Sequence, residues 1–324
     1  MSATTNAVRR AVVDVGTNSV KVLVGDVAGG DVIPVWETSA QTRLGRGFYE
    51  TRRLLPEPIA ATAMAVARFS AEARTRGAVS VRVVATSAAR DALNRADLVD
   101  AIQRASGLRV EVISGDVEAA WGFRGVTSAP GLGGRRLLIL DVGGGSTEFV
   151  LGRADACEFR RSFALGSVRL MERFPAADPP GAGQLDALRG WLDAFLRAEV
   201  APGLVPCLGA GGVPEHVLGV GGTTAILALI QLGSAEFDRP AIESTVFSAP
   251  DLGRLVERLW SLPLGGRRAL PGLPPERADV ILFGAAIYES VIRVFGFSNL
   301  GVSLRGLRFA ALLDGPGAGE ATHA

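Results

Sequence analysis

Arg10-Ala-Val-Val-Asp14-Val-Gly16-Thr17-Asn18-Ser19-Val-Lys21-Val-Leu-Val-Gly25 returns in altered form as Leu138-Ile-Leu-Asp141-Val-Gly143-Gly144-Gly145-Ser146-Thr-Glu148-Phe-Val-Leu-Gly152. Aligned on Asp14 and Asp141, the two stretches share Asp-Val-Gly, the serines Ser19 and Ser146, and the glycines Gly25 and Gly152. Each reads as a β-branched strand, a turn of small residues and a second strand. A repeat spaced this widely predicts two similar lobes rather than a solenoid of short units.

Around the first hairpin, Val32–Trp36, Val81–Ala85 and Val110–Ile113 have strand character. Glu57–Arg76 carries apolar residues at helical spacing (Ile59, Ala63, Val66, Ala67, Phe69). Asp97–Ser106 is a predicted helix, and another begins across Glu118–Gly125. Ser128-Ala-Pro-Gly-Leu-Gly-Gly134 is the natural linker. In the second half, Gln184–Val200, Asp251–Trp260 and Ala278–Phe295 are predicted helices and Val217–Val220 a strand. Pro202–Pro214, rich in Gly and Pro, is expected to be a loop, and the tail after Asp314 to be frayed. Alternating strands and helices in two halves indicate an α/β architecture with mixed sheets. The expected division is residues 1–127, residues 128–304, and a segment 305–324 returning to the first lobe. A ligand site between the lobes is the natural expectation, since clefts favour domain interfaces.

Composition narrows the function. Nearly half of the 324 residues are apolar, enough for two real cores. A net charge of +1 argues against a dedicated nucleic-acid or membrane-surface protein. Lys21 is the only lysine among the 34 basic residues. The two cysteines, Cys157 and Cys207, and the two histidines, His216 and His323, have no metal-site spacing, and a reducing compartment fits them. Met1–Arg10 lacks the apolar core of a signal peptide, so a cytoplasmic protein is expected.

The chemistry concentrates in the glycine turns. Gly143, Gly144, Gly145 and Ser146 let the backbone approach a ligand and turn its N–H groups toward an anion. Asp141 at the strand end and Glu148 in the next strand can hold Mg²⁺, directly or through water, with substrate phosphates completing the shell. A tight hairpin flanked by solvated acids would look the same, but its recurrence at Asp14 favours function. Thr17, Asn18 and Ser19 can donate hydrogen bonds to phosphate oxygens, and Lys21, aligned with Glu148, can add positive charge. Gly219-Val-Gly221-Gly222-Thr223-Thr224 joins a strand to a helix and offers a helix N-terminus to an anion, though paired glycines also serve close packing. Arg90, just beyond a strand, can make a forked contact with phosphate. Glu118, in Ile113-Ser-Gly-Asp-Val-Glu118-Ala, by itself reads as a residue matching the dipole of a helix start.

Together these stretches resemble the exopolyphosphatase and guanosine pentaphosphate phosphohydrolase family, Ppx/GppA. The matching runs are Asp14–Ser19, Arg43-Leu-Gly45, Ala85-Thr-Ser-Ala-Ala-Arg90-Asp-Ala-Leu-Asn94, Ile113–Ala119, Asp141–Glu148, Ala164-Leu-Gly166-Ser-Val-Arg169-Leu, Gly219–Thr224 and Leu270-Pro-Gly-Leu-Pro-Pro-Glu-Arg-Ala-Asp279. They lie in family order and span about residues 10 to 310. The resemblance implies a duplicated actin-like, ribonuclease H-like ATPase superfold with the active site in a cleft between two mixed-sheet lobes. It implies that Glu118 is the catalytic glutamate, that Arg90 contacts substrate, that Asp141 and Glu148 are metal-associated, with Asp14 as their counterpart in the first lobe, and that Gly143–Ser146 is the phosphate loop. Val117 departs from the pattern where many members carry another acid. Ser303-Leu-Arg305-Gly306-Leu-Arg308 matches the family's glycine-bearing Leu-Arg-Glu-Gly stretch only in part. The chain resembles the short, two-domain form.

The expected activity is hydrolysis of the terminal phosphoanhydride of inorganic polyphosphate, with Mg²⁺ (or Mn²⁺) as cofactor and water activated by Glu118. A homodimer is the expected assembly, with no nucleic-acid or membrane partner. Guanosine penta- or tetraphosphate is the rival substrate. Phosphoryl transfer to a nucleotide is a rival reaction, and an actin-like nucleotide-binding sensor is the rival from outside enzymology.

Overall fold

Apolar residues fill both repeated hairpins, valine above all in the first and leucine in the second, and in each the first strand becomes the centre of a sheet. The computed structural model describes residues 7–154 and 156–315; the expectations for residues 1–6, the tail from 316 onward and His323 fall outside them. The chain forms two units, one holding the chain up to Ser128 and again from Arg305, the other spanning Ala129–Leu304.

In unit 1, β1 (Val8–Val15) pairs antiparallel with β2 (Ser19–Ala28), and β2 antiparallel with β3 (Asp31–Gln41), so the third strand runs well past the predicted Trp36. On its other side β1 runs parallel to β4 (Ser80–Ala85), and β4 parallel to β5 (Val110–Val112). The connections carry α1 (Phe48–Thr51), α2 (Pro56–Thr75), α3 (Ser87–Asp91) and α4 (Arg95–Ser106); α5 (Gly115–Thr127) follows β5. The period-two alternation of β1 sorts the two faces. Ala11, Val13 and Val15 pack with Ile59, Val66 and Phe69 of α2 and with Leu98 and Ile102 of α4. Val12 packs on the opposite face with Ile113, Trp121 of α5, and Phe309 and Leu312 of α14 (Leu307–Leu313). Asp14 follows Val12 by two residues and shares that second face.

Unit 2 repeats the plan. β6 (Arg136–Val142), β7 (Thr147–Arg153) and β8 (Ala156–Phe163) form an antiparallel meander; β9 (His216–Val220) runs parallel to β6, and β11 (Asn299–Ser303) parallel to β9. β10 (Val246–Ser248) adds an antiparallel edge to β11. Counted from its own first strand, the sheet of unit 1 has the order 3-2-1-4-5 and that of unit 2 the order 3-2-1-4-6-5, with β10 as the added edge strand; this is the duplicated actin-like, ribonuclease H-like plan that the family resemblance implies. α6 (Ser167–Arg173), α7 (Ala182–Phe195), α8 (Ala201–Gly211), α9 (Gly221–Leu232), α10 (Arg239–Glu243), α11 (Ala249–Ser261), α12 (Leu264–Arg268) and α13 (Ile281–Phe295) cover the sheet. Among the described residues no helix is long and apolar enough to cross a membrane.

Two sequence expectations are corrected. The stretch 202–214 is mostly helix, as α8, and not a loop. Pro202 sits in the first turn, where its missing N–H leaves no bond unmade. Gly203 lets the helix reach β8, since a Cβ there would lie 2.6 Å from the Phe159 ring, and Leu204 is buried. Packing outweighs the low helix propensity of the run. α13 also begins at Ile281, three residues later than expected, because a short 3₁₀ turn, Pro275–Arg277, precedes it.

α14 returns the chain to unit 1 and packs on α5, where Gly125 lies directly against the Gly306 carbonyl and Arg124 pairs with Asp314. A Cβ at position 125 would overlap a backbone oxygen, which cannot swing aside as a side-chain tip can. Gly125→Val is expected to cost about 1–3 kcal/mol or more, read as a lower midpoint in urea-induced unfolding.

Candidate active site

The chemistry-bearing residues of each unit gather at the carboxyl ends of its parallel strands, the edge where open α/β sheets bind ligands. In unit 1 the segments leaving β4 and β5 are stitched to that edge: Thr86 N–H donates to the Val15 carbonyl (3.2 Å) and Ile113 N–H to the Ala85 carbonyl (3.0 Å). Ser114 then caps α5 by accepting from Val117 N–H (3.3 Å). This places Glu118 in the first helical turn. Arg90, on α3, donates through Nη1 to Glu118 Oε2 (3.0 Å) and lies 3.4 Å from the Ile113 carbonyl. The pair is 22% and 12% exposed, enough burial to hold both side chains in one geometry. Residues 28 positions apart thus form one charge-assisted unit.

The two glycine-serine turns share one construction. Gly16 N–H donates to the Ser19 carbonyl and Gly143 N–H to the Ser146 carbonyl, each at 3.0 Å. Both turns are held from behind through their carbonyls. In unit 2, Gly143 O accepts from Ser167 N–H (3.0 Å), and Gly144 O from Val168 and Arg169 N–H (2.9 and 3.1 Å). Gly145 O accepts from Arg169 Nε (3.0 Å). In a trans peptide the N–H lies opposite the C=O, so the N–H groups of Gly144, Gly145 and Ser146 point away from α6. Three successive amides aimed one way form an anion-binding concavity. Gly166 is required for this approach: a Cβ on it would collide with the Gly144 carbonyl.

In unit 1 the Arg43-Leu-Gly45 run does what α6 does in unit 2. Arg43 N–H donates to Asn18 O (3.0 Å) and Gly45 N–H to Thr17 O (2.7 Å). Thr17, Asn18 and Ser19 are buried, and Asn18 gives one amide hydrogen to Gln41 Oε1 (3.1 Å).

The acids occupy matching positions. Asp14 lies across from Lys21 in the β1–β2 ladder, and Asp141 across from Glu148 in the β6–β7 ladder. Glu148 is buried and accepts from Ser162 Oγ (2.6 Å). Asp14 Oδ1 is shut off from solvent and has no hydrogen-bond partner among the described residues. Burial pushes the Asp14 carboxyl above the usual carboxylate range, opposed by the charges of Lys21 and Arg308. A buried, orphaned carboxylate oxygen is what a divalent cation or its water shell would satisfy, so the donor set fits a hard cation. Among the described residues no cluster of three or more acids, histidines or cysteines could hold a metal unaided. Mg²⁺ accommodates that, because it keeps waters and takes phosphate oxygens.

Gly221 opens α9 at φ 85°, and a Cβ there would lie 2.6 Å from Asp141 Oδ1. Thr223 is buried and its hydroxyl donates to the Val142 carbonyl (3.0 Å), which ties α9 to β6. Gly222 stands between them in the first turn of α9.

Composition and spacing did not single out Tyr288. Its hydroxyl lies 3.2 and 3.1 Å from the Leu140 and Val220 carbonyls and accepts from Val142 N–H (3.4 Å). Burial first, and the Asp141 charge second, push its phenol up, so it stays neutral and fastens the ends of β6 and β9. A tyrosine inside an apolar helix is the only sequence signal it leaves. Arg308 was left without a role by its partial motif; it donates to the Val22 carbonyl (3.0 Å), pairs with Glu37 (3.2 Å) and acts electrostatically on Asp14.

The profile of the Ppx/GppA phosphatase family matches residues 22–315. The chain belongs to that family. Exopolyphosphatase 2 of Mycobacterium tuberculosis is 35% identical over 298 residues, covering 88% of this chain and 90% of that protein. Exopolyphosphatase 1 of Mycobacterium bovis is 29% identical over 306 residues, covering 94% and 87%. The crystal structure of an exopolyphosphatase from Cytophaga hutchinsonii superposes with a TM-score of 0.84 at 27% identity, over 96% of this chain and all of that one.

In this Ppx/GppA phosphatase Asp14 should oppose stability. A carboxyl raised in the folded state stabilises fully below the unfolded value of about 3.9 and loses that contribution as pH rises through the folded one. Asp14→Asn is therefore expected to unfold at higher denaturant than the parent at pH 7 with chelator present. The gap should close as pH falls toward 4; a gap that widens in acid would contradict the assignment.

Proposed function

We propose that this Ppx/GppA phosphatase is an exopolyphosphatase, hydrolysing the terminal phosphoanhydride of inorganic polyphosphate. The Arg90–Glu118 pair at the carboxyl edge of unit 1 carries this reading, because it joins a proton acceptor to a phosphate-binding guanidinium. The relatives named exopolyphosphatase support the choice of substrate.

Glu118 orients the attacking water and takes its proton, with one carboxylate oxygen fixed by Arg90. Water adds to the terminal phosphorus and the bridging P–O bond breaks. Orthophosphate and a chain one phosphate shorter leave. Arg90 offsets charge on the transferring group through its fork of N–H donors. In unit 2 the amides of Gly144, Gly145 and Ser146 hold phosphates, and in unit 1 Thr17, Asn18, Ser19 and Lys21 of the matching turn have the same part. Gly221, Gly222 and Thr223 present a helix N-terminus at the same edge of unit 2. Asp14 in unit 1, and Asp141 with Glu148 in unit 2, are the acids that would hold Mg²⁺, or Mn²⁺. When bound, such an ion neutralises phosphate charge and orients the chain.

General-base help is worth about 10²–10⁴-fold. Glu118→Gln, whose amide oxygen can still accept from Arg90, is expected to lower phosphate release from polyphosphate by about 10²-fold or more, with substrate affinity retained. Near-normal turnover in the folded variant would refute the role. Chelation is expected to abolish release and added Mg²⁺ to restore it; full activity in excess chelator would exclude the cation. Running guanosine pentaphosphate beside polyphosphate in the same assay separates the two substrates.

A further inference from the structure

Beside its half-site, unit 1 carries a segment that the hydrolytic roles leave unused. Arg43-Leu-Gly-Arg46-Gly-Phe-Tyr-Glu50-Thr-Arg52-Arg53 holds four arginines against one glutamate in a chain of net charge +1. One end is pinned to the first phosphate turn by the Arg43 and Gly45 amides. The other is pinned beside Arg90: Leu93 N–H donates to the Arg52 carbonyl (3.0 Å), Asn94 Nδ2 to the Leu54 carbonyl (3.0 Å), and Arg52 Nη2 to the carbonyl of Asp91 (3.3 Å). The segment therefore runs along the carboxyl edge from the Thr17–Asn18 turn to the Arg90 helix. Arg46, Arg52 and Arg53 are exposed along it.

The backbone supplies an independent observation. Among the described residues three non-glycines have positive φ, and two are Arg43 (51°) and Arg52 (55°). Arg52 ends α1 in the left-handed conformation, a position that glycine occupies freely. An L-residue there is strained by its own Cβ. An exposed side chain recovers little of that by packing, so what the position gains is a guanidinium. Arg46 pairs with Glu57 at 2.7 Å, but the two are 52% and 85% exposed. Such a surface pair is weak and exchanges readily for a denser anion.

We propose that Arg46, Arg52 and Arg53 form a distal binding strip for phosphates beyond the one being cleaved, so that the protein selects long polyanions over short ones. The proposal rests on the polyphosphate reading above. Guanidiniums grip phosphate oxygens in forks and stay charged at any physiological pH. A tripolyphosphate, held at its reacting end by Arg90, is too short to engage more than a part of the strip. A long chain continues along it.

Calorimetric titration with long-chain inorganic polyphosphate and with tripolyphosphate tests this, using the parent, Arg52→Gly, the triple variant Arg46→Gln/Arg52→Gly/Arg53→Gln, and the distant surface variant Arg104→Gln. Arg52→Gly relieves the left-handed strain, so its unfolding midpoint should hold or rise, which removes misfolding as an explanation. The triple variant is expected to bind the long chain about tenfold more weakly, about 1.4 kcal/mol, with a shallower salt dependence. Its tripolyphosphate affinity and the long-chain affinity of Arg104→Gln should stay within about twofold of the parent. Unchanged long-chain affinity, or equal loss for both polyphosphates, would overturn the strip. A single-stranded oligonucleotide that binds the parent as tightly and loses as much in the triple variant would overturn the assignment to polyphosphate. A parent that fails to release phosphate yet shows the strip-dependent, chain-length-dependent binding would count against the hydrolase reading alone and support the strip.

Discussion

Once the Gly143 and Gly144 carbonyls accept from the first amides of α6, trans peptide geometry leaves the next N–H groups no choice of direction. That constraint turns a hairpin into an anion cradle. It needs a second element behind the turn, so each copy of the motif comes with a companion: α6 behind Gly143–Ser146, and the Arg43–Gly45 run behind Gly16–Ser19. Several glycines follow from the same requirement. Gly166 lets backbone press against backbone, Gly45 leaves room for the Thr17 side chain, and Gly221 turns at a positive φ where any Cβ would strike Asp141.

The companions are different in the two units, and so are their consequences. In unit 2 a helix supplies the amides, and its own Arg169 closes the last carbonyl. In unit 1 an irregular run supplies them and continues into the arginine strip, which places positive charge at the same edge as the Arg90–Glu118 pair. The charge distribution of unit 1 is thus a by-product of how its turn is braced. Electrostatic attraction of this kind acts over about 8–10 Å at physiological salt.

Stability is given up at the same places. Asp14 carries a buried oxygen that none of the described residues satisfies, and Arg43 and Arg52 sit in a backbone region that L-residues avoid. The surrounding core tolerates this because β1 is covered on both faces, by α2 and α4 on one and by α5 and α14 on the other. Tyr288 plays the compensating part in unit 2, where one neutral phenol ties together the strand ends that carry Asp141 and Gly221.

The repeated hairpin was legible in the amino-acid order alone, because strand alternation and a small-residue turn are local properties. With it came the α/β class, the duplication, and the placement of Asp14, Asp141 and Glu148 beside two glycine turns. Helices with a clear apolar face, such as α2, were equally legible. α8 was not: its Gly and Pro content argues locally for a loop, and only contact with Phe159 of β8 and the burial of Leu204 makes it a helix. The Arg90–Glu118 bond, the bracing of the first turn by Arg43 and Gly45, the role of Tyr288 and the reach of Arg308 toward Asp14 were also settled in three dimensions only. Each joins residues far apart in the chain, and propensity and spacing carry no information about partners that meet only after the sheet has set its strand order.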